Sequence, residues 1–256
     1  PKETNFKLTP DILKRSLTAK TKVLLLNSPN NPTGQVYTKD ELSALAQVLE
    51  RTGVWIISDD IYDNMIFTGD KIAPHIGTTN EGILPRLLIA NSVSKTYSMT
   101  GWRIGSLVGE KKVIEACSNY QSQSASCAVS FAQKGAVEAL LGTQEPMHKA
   151  MVQLKARREL ALKILHKIEG LDLVDPAGAF YIWPNISAFF FLRTPKGDLI
   201  QTSSEFAAHF LETNGVAVVP GNEFGMEGYL RLSYTVDEKR LTSAMNRFAE
   251  FATSLK

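Results

Sequence analysis

Several ingredients are scarce in this chain of 256 residues, and each scarcity removes a class of explanation. Cysteine occurs twice, at Cys117 and Cys127, with no CxxC pairing. Unpaired buried thiols are the expectation, in keeping with a reducing, cytoplasmic setting. The four histidines, His75, His148, His166 and His209, are scattered without ligand spacing, so no metal site is expected. Charge of one sign is nearly absent: the net formal charge is +2, with both signs mixed along the chain, and nothing would draw it to nucleic acid or an anionic membrane. No apolar run approaches the roughly 18–20 residues needed to span a bilayer. Gly221, Gly225 and Gly228 lack the GxGxxG spacing of a dinucleotide loop. No internal repeat or low-complexity segment is present. The chain opens on Pro1 rather than Met, in the polar stretch PKETNFKLTPD, and is expected to begin in the middle of something larger.

What is present is ordinary globular composition, 44% hydrophobic and 21% charged, enough for one large or two modest domains. Short, continuous apolar runs at 23–26, 54–57, 87–90 and 104–108 predict strands, and helical patterns separate the first of them. Strands without alternation imply a mostly parallel sheet covered on both faces. Thr38 and Glu41 have capping-box spacing and open a helix that closes on Gly53. Residues 111–141 are helical with a break near QSQSAS, and a long helix is expected over 147–168. After Gly170 the texture changes. LDLVD, AFYIWPNI, VAVVPG and YLRLSY predict short strands; SSEFAAHFLETNG and DEKRLTSAMNRFAEF predict helices, the last with its Met and aromatic residues in a core. Residues 1–146 are therefore assigned to a first α/β domain, and 147–256 to a connecting long helix with a smaller α+β domain.

In an open parallel sheet, ligands bind at the carboxyl ends of the strands. The first strand delivers Asn31 there, the second Asp59 and Tyr62, and the third Ser92, Ser94 and Lys95, with Arg103 just before the fourth. This set has the chemistry that pyridoxal 5'-phosphate requires. A lysine binds the aldehyde, and a carboxylate on the pyridine nitrogen keeps the ring able to accept electrons. A phenol and an amide hydrogen-bond the ring oxygen, and hydroxyls with a guanidinium hold the phosphate.

NSPNNPTG, SDDIYD, SVSKTYSMTGWRIG and YLRLSY, in this order and at these separations, resemble the class I and II aminotransferases of pyridoxal-phosphate (PLP) fold type I. Within that family the chain looks most like the bacterial aspartate aminotransferases, over nearly its whole length, including NYQSQSAS, AGAFYIWP and GVAVVPG. The resemblance implies that Lys95 is the Schiff-base lysine and general base, that Asp59 partners the pyridinium, and that Tyr62 and Asn31 flank the ring oxygen. It implies that Ser92 and Arg103 bind phosphate, with Ser94 a weaker carry-over, and that Arg231 clamps the substrate α-carboxylate beside Asn31. It further implies a fold truncated at the N-terminus, with residues 1–146 the later part of the large PLP-binding domain. The full-length protein would be a cytoplasmic homodimer acting on an amino acid, aspartate foremost, and a 2-oxo acid, 2-oxoglutarate foremost.

Each residue also has a plain structural reading. Asn31 before Pro32 suits a turn, Asp59 the solvated end of a strand, Tyr62 a core position with a satisfied hydroxyl, and Arg103 or Arg231 an ion pair. Ser92 and Ser94 suit a loop. Only their joint order and spacing favour chemistry. Two alternatives stand beside the transaminase. One is an inactive fragment, or a non-catalytic PLP-binding or assembly module of the same fold. The other is a serine acyl-transferring enzyme using Ser92-x-x-Lys95, for which the companion S-D-N and K-T-G motifs do not follow.

Overall fold

A computed structural model describes residues 1–69 and 71–256. The chain divides into two compact units, one of Pro1–Asn30 with Gln35–Lys149, the other of Asn31–Gly34 with Ala150–Lys256.

The first unit begins with helix α1 (Pro10–Ser16), whose Thr9 cap accepts the Ile12 N–H and whose Pro10 occupies the first turn. Strand β1 (Val23–Asn27) leads through the turn-rich NSPNNPTG to α2 (Lys39–Glu50). The Thr38 hydroxyl accepts from Glu41 N–H at 3.2 Å, and the Glu41 carboxylate accepts from Thr38 N–H at 2.7 Å, which closes the expected capping box. Leu42, Leu45, Ala46 and Leu49 recur at helical spacing and are buried, so α2 covers the sheet with one apolar stripe. They pack with Leu13, Leu26 and Ile56 in a core where each buried leucine contributes roughly 1.5–3 kcal/mol. The helix ends at Glu50, ahead of the expected Gly53.

Strands β2 (Trp55–Asp59) and β3 (Leu87–Ser92) follow, then the one-turn helix α3 (Val93–Thr96) and β4 (Gly105–Val108). The sheet order is β1-β2-β3-β4. β1 pairs with β2, and β2 with β3, in parallel; β4 returns antiparallel to β3. The expectation of cover on both faces fails. Every residue of β4 is exposed, and so are Val23 and Leu25 of β1, because no described element of this chain lies over them. Helices α4 (Lys111–Ser124) and α5 (Ser130–Leu141) complete the unit, and α4 has no buried residue. Cys117 and Cys127 are exposed free thiols rather than the buried ones expected, since α4 and the segment after it present their sides to solvent.

Helix α6 (Glu145–Leu165) carries the chain onward. In the second unit, strands β5 (Tyr181–Ile182), β6 (Val219–Pro220) and β7 (Leu230–Ser233) form an antiparallel sheet in the order β5-β7-β6. LDLVD is not a strand: its only sheet pairing is a single bridge from Asp172 to Asn185. Helices α7 (Ser203–Asn214) and α8 (Glu238–Ser254) supply Phe206, Phe210, Phe248 and Phe251, whose ring centroids lie 5.1–6.4 Å apart in the core. α7 opens on a second capping box, Thr202 with Glu205, and stops at Gly215, whose φ of 66° suits glycine. Among the described residues, no helix is long and apolar enough to cross a membrane.

Candidate active site

In the first unit the candidate residues gather where β2 and β3 end. Register places Asp59 opposite Asn27 on one side and Ala90 on the other. The Asn27 side-chain amide donates to the Asp59 carbonyl at 3.0 Å, and the Asp60 N–H donates to Ala90 O at 2.9 Å, so the strand end is tied on both flanks. Burial pushes the Asp59 carboxyl above its ordinary range; the Ile61 N–H opposes this, and the neighbouring Asp60 charge adds to it. Tyr62 is buried, 3% exposed. The Lys95 Nζ lies 6.0 Å from its ring centroid, at the outer reach of a cation–π contact.

Ser92 ends β3 and caps α3. Its Oγ accepts from Ser94 N–H at 3.0 Å, lies 2.7 Å from Ser94 Oγ, and donates to the Ile104 carbonyl at 2.6 Å. That last bond fixes the start of β4 against the end of β3, where Gly105 is needed: a Cβ there would stand 2.8 Å from Asn91 O. Asn91 supports the same turn, accepting from Ser92 N–H at 2.6 Å and donating to Asp63 at 2.8 Å. Arg103 has φ 52°, the left-handed region, at the end of the turn Thr100–Trp102. Its guanidinium is exposed and donates to Thr100 O at 3.0 Å. Asp59, Tyr62, Ser92, Ser94 and Lys95 thus share one edge of the sheet, and Arg103 adjoins the Ile104 carbonyl that Ser92 holds.

Asn31 and Arg231 belong to the second unit. Arg231 lies on the central strand β7, opposite Val219 of β6, and its Nη1 donates to Asn31 Oδ1 at 2.9 Å. The segment Asn31–Gly34 is pinned there because Gly34 O accepts from Ala177 and Gly178 N–H, both at 2.8 Å. Gly34 has φ +69°, and a Cβ would come within 2.3 Å of Pro176, so only glycine fits.

The residue list drawn from sequence overlooked two groups. Tyr181 and Phe224 place their rings 4.7 and 4.9 Å from the Arg231 guanidinium carbon. Both stood in noted stretches, AGAFYIWP and the glycine loop GNEFG, but aromatic residues there read as core. The second group is Ser58, Asp60 and His75. The Asp60 carboxylate accepts from Ser58 Oγ at 2.8 Å and stands 2.8 Å from His75 Nε2. Gly77 N–H donates to His75 Nδ1 at 2.9 Å, so Nδ1 is the acceptor; Nε2 lies close to Asp60 but outside hydrogen-bonding geometry. Asp60 and His75, but not Ser58, line a cavity of about 670 Å³ with Asp63 and Asn91.

The family model "Aminotransferase class I and II" matches residues 1–248. The chain belongs to this family. Its members use pyridoxal phosphate, and the donor set of a lysine, a carboxylate, a phenol and hydroxyls at one sheet edge fits that cofactor. A probable aspartate/prephenate aminotransferase of Rickettsia typhi is 41% identical over 254 residues, 99% of this chain and 63% of that protein. An asparagine–oxo-acid transaminase of Streptococcus mutans is 39% identical over 249 residues, 97% of this chain and 62% of that protein. The crystal structure of the aspartate aminotransferase from Rhizobium meliloti superposes with a TM-score of 0.95 at 36% identity, covering 100% of this chain and 64% of that one. The fold is therefore that of the fold type I transferases, and the chain spans somewhat under two thirds of the length of the relatives it matches.

Proposed function

We propose that this aminotransferase-family chain serves the transfer of an amino group between an L-amino acid and a 2-oxo acid, aspartate and 2-oxoglutarate foremost, with pyridoxal phosphate as cofactor. The observation that carries the reading is the placement of Asp59, Tyr62, Ser92, Ser94 and Lys95 at one edge of the sheet, around the ends of β2 and β3. The aspartate preference is supported by the names of the relatives. On this reading residues 1–146 belong to the large cofactor-binding domain and 147–256 to the small one, and the whole protein works as a cytoplasmic homodimer.

The cofactor, when bound, supplies an electron sink for the carbanion left when the substrate Cα loses its proton. The remaining work falls to the chain's own side chains. Lys95 would hold the cofactor's aldehyde and would carry the substrate Cα proton as base and then as acid. Asp59 would be the counter-charge for the ring nitrogen. Tyr62 would serve the ring oxygen, and Ser92, Ser94 and Arg103 the phosphate. Arg231 binds the α-carboxylate through its planar donor fork. In the S-x-x-K alternative Ser92 is the nucleophile; the proton it gives to Ile104 O argues against that role.

Incubation with pyridoxal phosphate, borohydride reduction and peptide mapping tests the proposal. Label on Lys95, lost in Lys95→Arg, is the expected result. Cofactor retained with label elsewhere would leave only a non-catalytic binding module.

A further inference from the structure

We infer that Tyr181 and Phe224 are positioning residues for Arg231, holding its guanidinium so that its donors are offered to a carboxylate. The inference rests on Arg231 as the carboxylate partner. β7 is the central strand of its sheet, and the two rings reach Arg231 from opposite neighbours: Tyr181 from β5, and Phe224 from the turn Gly221–Phe224 that follows β6. The guanidinium carbon lies over both rings, at 4.7 and 4.9 Å, well inside the roughly 6 Å range of a cation–π contact. Such contacts stabilise the charge without consuming an N–H. Of the guanidinium's donors, Nη1 is given to Asn31 Oδ1, and a bidentate carboxylate needs two parallel donors from the planar fork. A long, flexible side chain loses rotamer freedom when it binds, and two rings that already restrict it reduce that cost.

Neither ring is free to follow the arginine. Tyr181 is 6% exposed and paired in the sheet opposite Ser233. Phe224 packs edge-on against Trp183, with centroids 5.4 Å apart and planes at 86°, and Trp183, 1% exposed, stacks on Tyr229 at 5.4 Å. Gly225, at φ 71°, ends the turn immediately after Phe224 and fixes the ring's exit from the backbone. The rings therefore form a preset cradle in the second unit.

Maleate, a dicarboxylate without an amine, is the probe, titrated by calorimetry against the full chain and its variants. Phe224→Leu and Tyr181→Leu are expected to weaken maleate binding roughly 3- to 30-fold, the range of a lost cation–π contact. Phe224→Tyr and Tyr181→Phe, which keep the rings, are expected to hold native affinity, and the Arg231 side-chain NH resonances should lose their ring-current shift only in the leucine variants. Native affinity in both leucine variants, with binding lost in Arg231→Gln, overturns the inference and leaves the arginine's role intact. Equal binding by native chain and Arg231→Gln, or none by either, overturns the role itself.

Discussion

Replacing Ser92 by alanine separates what this hydroxyl does for the fold from what we propose it does for a phosphate. The change deletes the cap bond from Ser94 N–H and leaves the Ile104 carbonyl without its donor. A lost N-cap costs about 1 kcal/mol and the abandoned carbonyl about another 1 kcal/mol. α3 has only four residues, so no longer helix dilutes the loss. A total of about 2 kcal/mol corresponds to a fall of roughly 4–8 °C in the melting temperature of the first unit. The effect on cofactor affinity should be smaller than for an uncommitted hydroxyl. To donate to a phosphate oxygen, Ser92 must release Ile104 O, so one bond is exchanged for another. The net contribution is about 1.4 kcal/mol or less, a tenfold loss of pyridoxal phosphate affinity at most. Calorimetry gives the first number and absorbance titration the second. Ser92→Thr, which keeps the oxygen, should restore both, and Ser92→Ala with Ser94→Ala should cost less than the sum, because the two hydroxyls share a 2.7 Å contact. A Ser92→Ala chain that melts like the native one refutes the reasoning about the turn. A hundredfold affinity loss refutes the exchange argument.

Two further outcomes follow from the carboxylates at the end of β2, Asp59 half-buried and Asp60 buried. Asp59 is raised from its ordinary 3.8, burial being the largest cause. A carboxyl raised in the folded state leaves stability intact below its unfolded value and removes it as pH climbs through the folded one. Asp59→Asn should therefore melt higher than the native chain at pH 7 and not at pH 3, while binding pyridoxal phosphate more weakly; a lower melting point at pH 7 contradicts the assignment. His75→Phe leaves Asp60, 8% exposed, with Ser58 as its remaining side-chain partner in that trio. The loss should be about 1 kcal/mol by urea unfolding, partly recovered by adding Asp60→Asn, and an unchanged midpoint would refute the contact.

The elements that could be read directly were those whose signals are local. Thr38 with Glu41 announced the start of α2, and the apolar runs at 23–26, 54–57 and 87–90 announced β1 to β3, because cap and core periodicity depend on neighbouring residues alone. The direction of β4 is not local. A parallel return needs a crossover of a dozen or more residues, usually a helix packed on the sheet. Between Ser92 and Gly105 the chain has only the one turn of α3 and a second short turn, both used to place Lys95 and Arg103. The connection thus has the length of a crossover but no helix to carry it over the sheet, and the strand after it comes back antiparallel. The same reasoning explains the aromatic residues that escaped notice. Tyr181 and Phe224 are ordinary core residues by pattern; only the pairing of β5, β7 and β6 brings them to Arg231. Lysine, aspartate and arginine could be singled out as candidates from sequence because chemistry restricts their type. The rings could not, because what restricts them is the position of a neighbouring strand.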